Sequence, residues 1–580
     1  MDQPLTVALL LLLCLRGRAQ LQTSCPYRCQ CFMPDQVLCA DESMSSLPRN
    51  MSRQVKDFIV MTTAVSYLFP HTLEDSPQLT KLIFLSNALR SINSQSFEHL
   101  IELQELEISG NPSLEHLYLG TFSKQGNLSK LLLNFNRLKT VLPGMFEPLK
   151  QLDVLQMKNN IISDLPSFIF SNCHKLRVLD LSQNQLQEMK TETFSGLVGL
   201  EVLKMSHNLL SNLTHETFCA FPHLTELHLD SNKIAQLNDG IFSVLTSLRE
   251  LNLRGNLLTT FSDRVFGFQS SSLKDLNLQG NRLTQLSSIS ALTSLTNFVL
   301  SSNRLSNLTE DIFRNVTALE NLDMSENQLD FLPRAVFRDL LNLKMLNLHK
   351  NHLSIVDAKL FEDQMYIQQI YLSENRFQTL PDGLFEPFFM QHSMRLHGNP
   401  WRCDCGMRYL HHWLTSHGQG VQMLERVLCE SPNFLKKLPI MSIDSDQLVC
   451  HLSEDKTHYA SSACSLQESN GTLTIKCRAS KCKPLTVNVH FQEDDGSIKE
   501  HVLKNEPDYS QCINETTSEK HYPYSSRSGS NTGSFGDDVK RMTLWMKERK
   551  EEESISLERS CVLLFQVSQS IELEKLNTLG

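Results

Sequence analysis

Apolar residues along this chain recur in the order L-x-x-L-x-L-x-x-N, each run closed by one polar asparagine, as in Leu176, Leu179, Leu181 and Asn184 or Leu248, Leu251, Leu253 and Asn256. The asparagines are Asn87, Asn111, Asn136, Asn160, Asn184, Asn208, Asn232, Asn256, Asn281, Asn303, Asn327, Asn351, Asn375 and Asn399, and twelve of the thirteen intervals are 24 or 25 residues. The L-x-L alternation has the period of a strand, so each unit predicts one short strand with its leucines facing inward. A leucine two residues after the asparagine (Leu186, Leu210, Leu258, Leu305, Leu329) adds a fourth core contact. A phenylalanine ten residues after it (Phe146, Phe170, Phe194, Phe218, Phe242, Phe266, then Phe313, Phe337, Phe361, Phe385) fills the half where the chain turns back. No single unit can bury this set, so stability must come from stacking similar layers.

This pattern is a leucine-rich repeat, and it predicts an α/β solenoid with a parallel sheet on its concave face and an irregular convex side. The asparagine amide carries both donor and acceptor, suited to the backbone groups of the turn that leaves the strand. Left unpaired, such groups cost roughly 1–3 kcal/mol each, which explains a polar residue among so many leucines. One repeat departs: Asn281 to Asn303 spans 22 residues, and Ala291 stands where phenylalanine is expected.

The apolar run Leu5–Leu15, followed by Gly17 and Ala19, reads as a secretory signal over residues 1–19, although Asp2 replaces the usual basic start. No later stretch approaches the ~20 apolar residues of a membrane span. Net charge is −10 without a basic stripe, which argues against a nucleic-acid partner. Seven N-x-S/T sequons, at Asn50, Asn127, Asn212, Asn307, Asn315, Asn470 and Asn514, fit a secreted glycoprotein.

Stacked strands leave open edges at both ends, and cysteines cluster there. Cys25, Cys29, Cys31 and Cys39 precede the repeats over residues 20–54; Cys403, Cys405, Cys429 and Cys450 follow them over 397–452, the repeats themselves taking 55–396. Four cysteines could hold zinc, but a secreted chain favours disulfides, and spacing alone leaves three connectivities per cluster. Cys173 and Cys219 lie two coils apart, around 10 Å at ~4.8 Å per strand, too far to pair. Both are expected to be buried free thiols acting as small core residues.

Beyond the second cluster the repeat stops. Gly471–Cys477, Leu485–Gln492 and Cys561–Ser568 alternate like strands, and with Cys464, Cys477, Cys482, Cys512 and Cys561 they predict a small disulfide-bearing β module over 453–512 and 556–580. Residues 513–555, rich in Ser, Thr, Gly and charge, predict a mobile insertion. Five cysteines cannot all pair with one another, and Cys512 is the candidate for an unpaired thiol or an intermolecular bridge.

Two stretches narrow the class. Leu79-Thr80-Lys81-Leu82-Ile83-Phe84-Leu85 and Leu128-Ser129-Lys130-Leu131-Leu132-Leu133-Asn134-Phe135-Asn136 form the first. The second is the tail: Ala463-Cys464, Asn470-Gly471-Thr472, Cys477, Cys482, Leu485-Thr486-Val487-Asn488-Val489 and Gly496-Ser497. Both resemble the regulatory, non-catalytic subunits of carboxypeptidase N, a family of secreted leucine-rich repeat proteins, over residues 24 to about 510 and again near Cys561. The likeness fails over 513–555, and Cys512 has no counterpart in the family pattern. The resemblance implies a plasma glycoprotein without a cofactor of its own. It implies a partner, the catalytic subunit of a secreted zinc carboxypeptidase, retained and stabilised in a heterotetramer of two heterodimers. The cysteine clusters resemble the caps of extracellular leucine-rich repeat proteins, which implies Cys25–Cys31 with Cys29–Cys39 and Cys403–Cys429 with Cys405–Cys450.

The residues themselves offer a contact surface. Positions six before each asparagine should stack on the concave face as Val154, Val178, Val202, Glu226, Glu250 and Asp275, with Ile83 and Leu132 toward the apolar end. Three exposed valines in register suit a protein partner. The adjacent carboxylates repel one another, and a basic partner, Lys204 or Arg254 would relieve them. Catalysis has little support. Two H-x-x-E pairs, His99/Glu102 and His223/Glu226, offer only two metal ligands each, with no third indicated. The alternative function is an extracellular matrix or signalling protein that binds a growth factor or receptor through the same face.

Overall fold

The L-x-L core places a strand once per coil, and in the computed structural model of this protein each strand pairs in parallel with the one a coil earlier. The structure describes residues 25–449 except 50, 268–270 and 389–392, together with the backbone of several tail strands. The series runs from Gln36–Cys39 through Asp57–Met61, Lys81–Leu85 and Glu105–Ser109 to Ser393–Arg395. Most strands are three residues long, such as Val178–Asp180 and Val202–Lys204. The leucines of successive coils stand in register, Leu155 beside Leu179 beside Leu203 beside Leu227, and all four are inaccessible to solvent.

The chain divides into two compact units. One holds the repeats through Arg376 with Gly383–Leu396; the other holds Phe377–Asp382 and the chain from His397 onward.

In the first unit the return path is irregular, with single turns such as Thr191–Phe194, His215–Phe218 and Asp263–Phe266 in place of long helices. Its filling is aromatic. Phe146, Phe170 and Phe194 stack with ring centroids 6.0 and 6.2 Å apart, and Phe218, Phe242 and Phe266 continue at 5.2 and 5.9 Å. The column resumes at Phe313 and Phe337, 6.2 Å apart. In the short repeat between, Ile289 and Leu292 are fully buried, and the Ala291 N–H donates to Asp263 Oδ2 at 2.9 Å.

Each asparagine ties two coils. The Asn184 amide donates to Met157 O of the preceding coil (2.9 Å) and to Leu181 O of its own (3.0 Å), while its Oδ1 accepts from the Ile162 N–H (3.1 Å). A second element of this turn was not expected. The residue before every one of the fourteen asparagines is left-handed, with φ between 53° (Glu326, Glu374) and 75° (Gly398). Only Gly110, Gly255, Gly280 and Gly398 escape the steric cost of about 1 kcal/mol or more that a Cβ meets there. The ten others, Gln183 and His207 among them, are held by the amide bonds that follow.

At the N-terminal end Cys29–Met33 runs antiparallel to Gln36–Cys39, which in turn pairs with Asp57–Met61, so the edge is closed by a hairpin. Cys25 is bonded to Cys31 and Cys29 to Cys39.

The second unit carries the Cys403–Cys429 bond. Cys405 is also disulfide-bonded, and Cys450 lies outside the described residues. Its core is Trp401, stacked on Phe377 at 6.4 Å, with Leu410, Trp413 and Leu414 of the helix Arg408–His417. In the tail, Cys464–Ser469 forms a hairpin with Thr472–Cys477, which sets Cys464 opposite Cys477. Leu485–Glu493 is flanked by Ile498–Asn505 and by Val539–Glu548. The last strand corrects an expectation: it lies within the stretch assigned as mobile insertion. Its charged residues masked the alternation of Met542, Leu544 and Met546. The expected strand Cys561–Ser568 lies outside the described residues, as do Cys482 and Cys512.

The two thiols differ. Cys173 is fully buried, and burial pushes its pKa up to about 12. Cys219, expected to be buried, is exposed, its Sγ 3.9 Å from His215 Nδ1. Cys173 follows its asparagine by thirteen residues, as do the buried Leu149 and Leu197, whereas Cys219 follows by eleven, beside Phe218 and pointing the other way.

Candidate functional site on the sheet face

Side chains of a strand alternate between faces, so the residues flanking each central leucine share the face opposite the core. The structure sets Val154, Val178, Val202, Glu226, Glu250 and Asp275 in one continuous register row. The row extends backwards to Lys130 and forwards to Asn297 and Asn321. The three valines are half-buried rather than exposed. Ile83 and Leu132 belong to the parallel row two residues on, separated by Glu107. Ile83 is half-buried, but Leu132 is only 7% exposed, set between Glu107 and Gln156, and offers almost no contact area.

The neighbours of the carboxylates also differ from expectation. His228, on the strand of Glu226, places Nε2 3.7 Å from Glu226 Oε2 and 3.8 Å from Glu250 Oε1. Asp275 accepts a hydrogen bond from Asn297 Nδ2. Thus His228 and Asn297, rather than Lys204 and Arg254, are the side chains set against the carboxylates. Arg254 instead lines a hollow of ≈ 380 Å³ with His207, Asp230 and Gln279.

Toward the first strands the charge pattern inverts. Glu105 accepts from Lys130 Nζ (3.1 Å) and lies 3.2 Å from Lys81 Nζ. Burial alone would raise its pKa, but the two lysines outweigh burial and hold it below the usual range. Glu107, more deeply set, is raised by burial. A depressed carboxyl contributes stability above its unfolded pKa and loses it as pH falls through the folded value; a raised one does the reverse. Glu105→Gln is therefore expected to lower stability by about 0.5–1 kcal/mol at neutral pH and by little near about pH 3, where the unfolded carboxyl is protonated too. Glu107→Gln should leave stability unchanged or raise it at neutral pH. Urea midpoints of both variants at the two pH values check this.

Neither H-x-x-E pair forms as a pair of ligands. Instead, two three-residue groups assemble across coils: Glu226, His228 and Glu250 on the sheet face, and the exposed His71, Glu74 and His99. His71 Nδ1 lies 3.2 Å from His99 Nε2 and 3.5 Å from Glu74 Oε2. Each group takes one residue of an H-x-x-E pair, Glu226 or His99, and leaves out the other, His223 or Glu102. For Glu226 the partners are His228 on its own strand and Glu250 on the next, 24 residues distant; for His99 they are Glu74 and His71 of the preceding coil, 25 and 28 residues distant.

Among the sequons, Asn127, Asn212, Asn307 and Asn315 are exposed, while Asn50, Asn470 and Asn514 lie outside the described residues. Among the described residues no helix is long and apolar enough to cross a membrane.

The leucine rich repeat family model matches at residues 101–162, 126–186, 151–210, 174–234, 222–283 and 293–353. Human carboxypeptidase N subunit 2 is 31% identical over 128 residues, 18% of this chain and 23% of that protein. The rat reticulon-4 receptor-like 1 protein is 29% identical over 154 residues, 26% of this chain and 34% of its own length. The chain therefore matches about a quarter to a third of these relatives' lengths, much less than the span from 24 to about 510 that the resemblance implied. A leucine-rich repeat protein of Leptospira interrogans superposes with a TM-score of 0.58 at 23% identity, covering 66% of this chain and 94% of that one. Drosophila Toll, from its complex with Spatzle, gives 0.55 at 20% identity over 77% and 68%. These two likenesses concern the fold. Strand register, asparagine ladder and family model agree: the chain is a leucine-rich repeat solenoid, with carboxypeptidase N subunit 2 and the reticulon-4 receptor-like proteins among its sequence relatives.

Proposed function

We propose that this chain is a secreted, non-catalytic subunit whose sheet face binds and stabilises a zinc carboxypeptidase of the carboxypeptidase N type. The observation that carries the reading is the row Val154, Val178, Val202, Glu226, Glu250 and Asp275, locked in register by the strands. It joins a β-branched apolar strip to three successive carboxylates, a surface suited to a partner with an apolar ridge beside basic side chains. The similarity to carboxypeptidase N subunit 2 supports the choice of partner. Disulfides at both ends and four exposed sequons support an extracellular setting.

The test is co-purification of carboxypeptidase activity from plasma on immobilised full-length protein. Val178→Asp combined with Glu226→Lys and Glu250→Lys is expected to reduce the retained activity at least tenfold, because buried charge and reversed complementarity each cost more than 1 kcal/mol. Undiminished retention by the triple variant sinks this surface. A second reading, a matrix or signalling protein, draws on the similarity to reticulon-4 receptor-like proteins and mouse podocan. It prevails if receptor ectodomains or matrix components are recovered and carboxypeptidase is not.

A further inference from the structure

Glu226 and His228 are two residues apart on one strand and so project to the same side; Glu250 stands beside Glu226 on the next strand. The donor atoms of all three lie within 4.8 Å of one another. His228 Nε2 is buried and has no hydrogen-bond partner, since 3.7 and 3.8 Å to the two carboxylates is beyond hydrogen-bonding range. A buried ring nitrogen aimed between two carboxylates, yet bonded to neither, calls for a third body between them. Its side chain is only 16% exposed, whereas those of Glu226 and Glu250 are 41% and 42% exposed, leaving the group open toward solvent on one side.

We propose that Glu226, His228 and Glu250 form a binding site for a divalent transition-metal ion, zinc foremost. One imidazole nitrogen and two carboxylate oxygens are a donor set such an ion accepts. In tetrahedral zinc the donors stand about 3.4 Å apart, so the two His228–carboxylate separations need to close by a few tenths of an ångström. The glutamate side chains can rotate to do so while the strands stay fixed. The ion neutralises the adjacent carboxylates on the sheet face, and its remaining coordination position faces solvent. His71, Glu74 and His99 are a weaker candidate, because the two imidazoles already satisfy one another at 3.2 Å and all three side chains are exposed.

The inference goes beyond the partner-binding reading and is tested without any partner present. Zinc is titrated calorimetrically into untagged full-length protein carrying His99→Ala, which removes the exposed group. Cobalt, titrated in parallel, reports nitrogen and oxygen ligation by its visible absorption. Binding of one equivalent is expected, weakened roughly tenfold or more by His228→Gln and likewise by Glu250→Gln. Glu250→Gln, half-exposed and structurally mild, decides the question should the histidine variant fold poorly. Absence of zinc binding in the His99→Ala protein, or equal affinity after Glu250→Gln, overturns the site.

Discussion

Phe170→Ala is expected to destabilise the repeat unit by about 3–5 kcal/mol, the range for deleting a buried aromatic ring. Phe170 is inaccessible to solvent and stacked on both sides, 6.0 Å from Phe146 and 6.2 Å from Phe194. The void would be shared by three coils, and the neighbouring rings are themselves anchored by the next ones, so collapse is restricted. Phe266 supplies the contrast. It meets Phe242 at 5.9 Å, but Ala291 stands where the next ring would be. Phe266→Ala should cost less, since one aromatic neighbour is lost instead of two. Denaturant midpoints of both variants measure the difference, and hydrogen exchange locates it, since in a stacked array the loss should centre on the altered coil and its neighbours. Equal costs at the two positions would refute the account of the aromatic column.

What was legible in the sequence was whatever repeats once per coil. The inward leucines, the asparagine and the phenylalanine each serve the same purpose in every layer, so periodicity alone exposes them. The valine-to-carboxylate row was legible for the same reason: positions equidistant from the asparagine must lie side by side. What varies between coils was not. Leu132 and Ile83 occupy the same row, yet Leu132 is buried and Ile83 half-buried. Their environments depend on long neighbours such as Glu107 and Gln156. The left-handed turn was nearly invisible because glycine marks it at only four of fourteen places. At the others the conformation is imposed by the fold rather than preferred by the residue. The Glu226–His228–Glu250 group also had a signal in the sequence: the N−4 position of one coil and the N−6 positions of that coil and the next lie on one face of adjacent strands. The unlike depths of Cys173 and Cys219 were readable in the same way, by counting thirteen and eleven residues from the preceding asparagine.

Asn208→Ala is expected to cost about 2–5 kcal/mol although it removes only a small amide. The side chain donates to Leu181 O at 3.0 Å and Met205 O at 3.1 Å and accepts from the Leu186 N–H at 3.0 Å. It is 4% exposed, so water cannot replace it. One substitution therefore leaves the Leu186 N–H buried without its acceptor, at roughly 1–3 kcal/mol. It also takes one of two donors from each carbonyl, Leu181 O keeping Asn184 and Met205 O keeping Asn232, at about 1 kcal/mol for each lost bond. The left-handed His207 adds strain that the amide bonds help to hold. Asn208→Asp separates hydrogen bonding from shape. It keeps the acceptor for Leu186 but loses both donors and faces a carboxylate toward two carbonyl oxygens. The buried carboxyl should have its pKa raised, so the penalty is largest above that value and shrinks as pH falls and the acid can donate one bond. An Asp variant that recovers stability on acidification relative to the unaltered chain, beside an Ala variant that does not, would establish donation across the coil boundary as the asparagine's contribution. Parallel pH profiles for the two variants would instead make the asparagine a spacer, and the cohesion of the layers would then rest on leucine and phenylalanine alone.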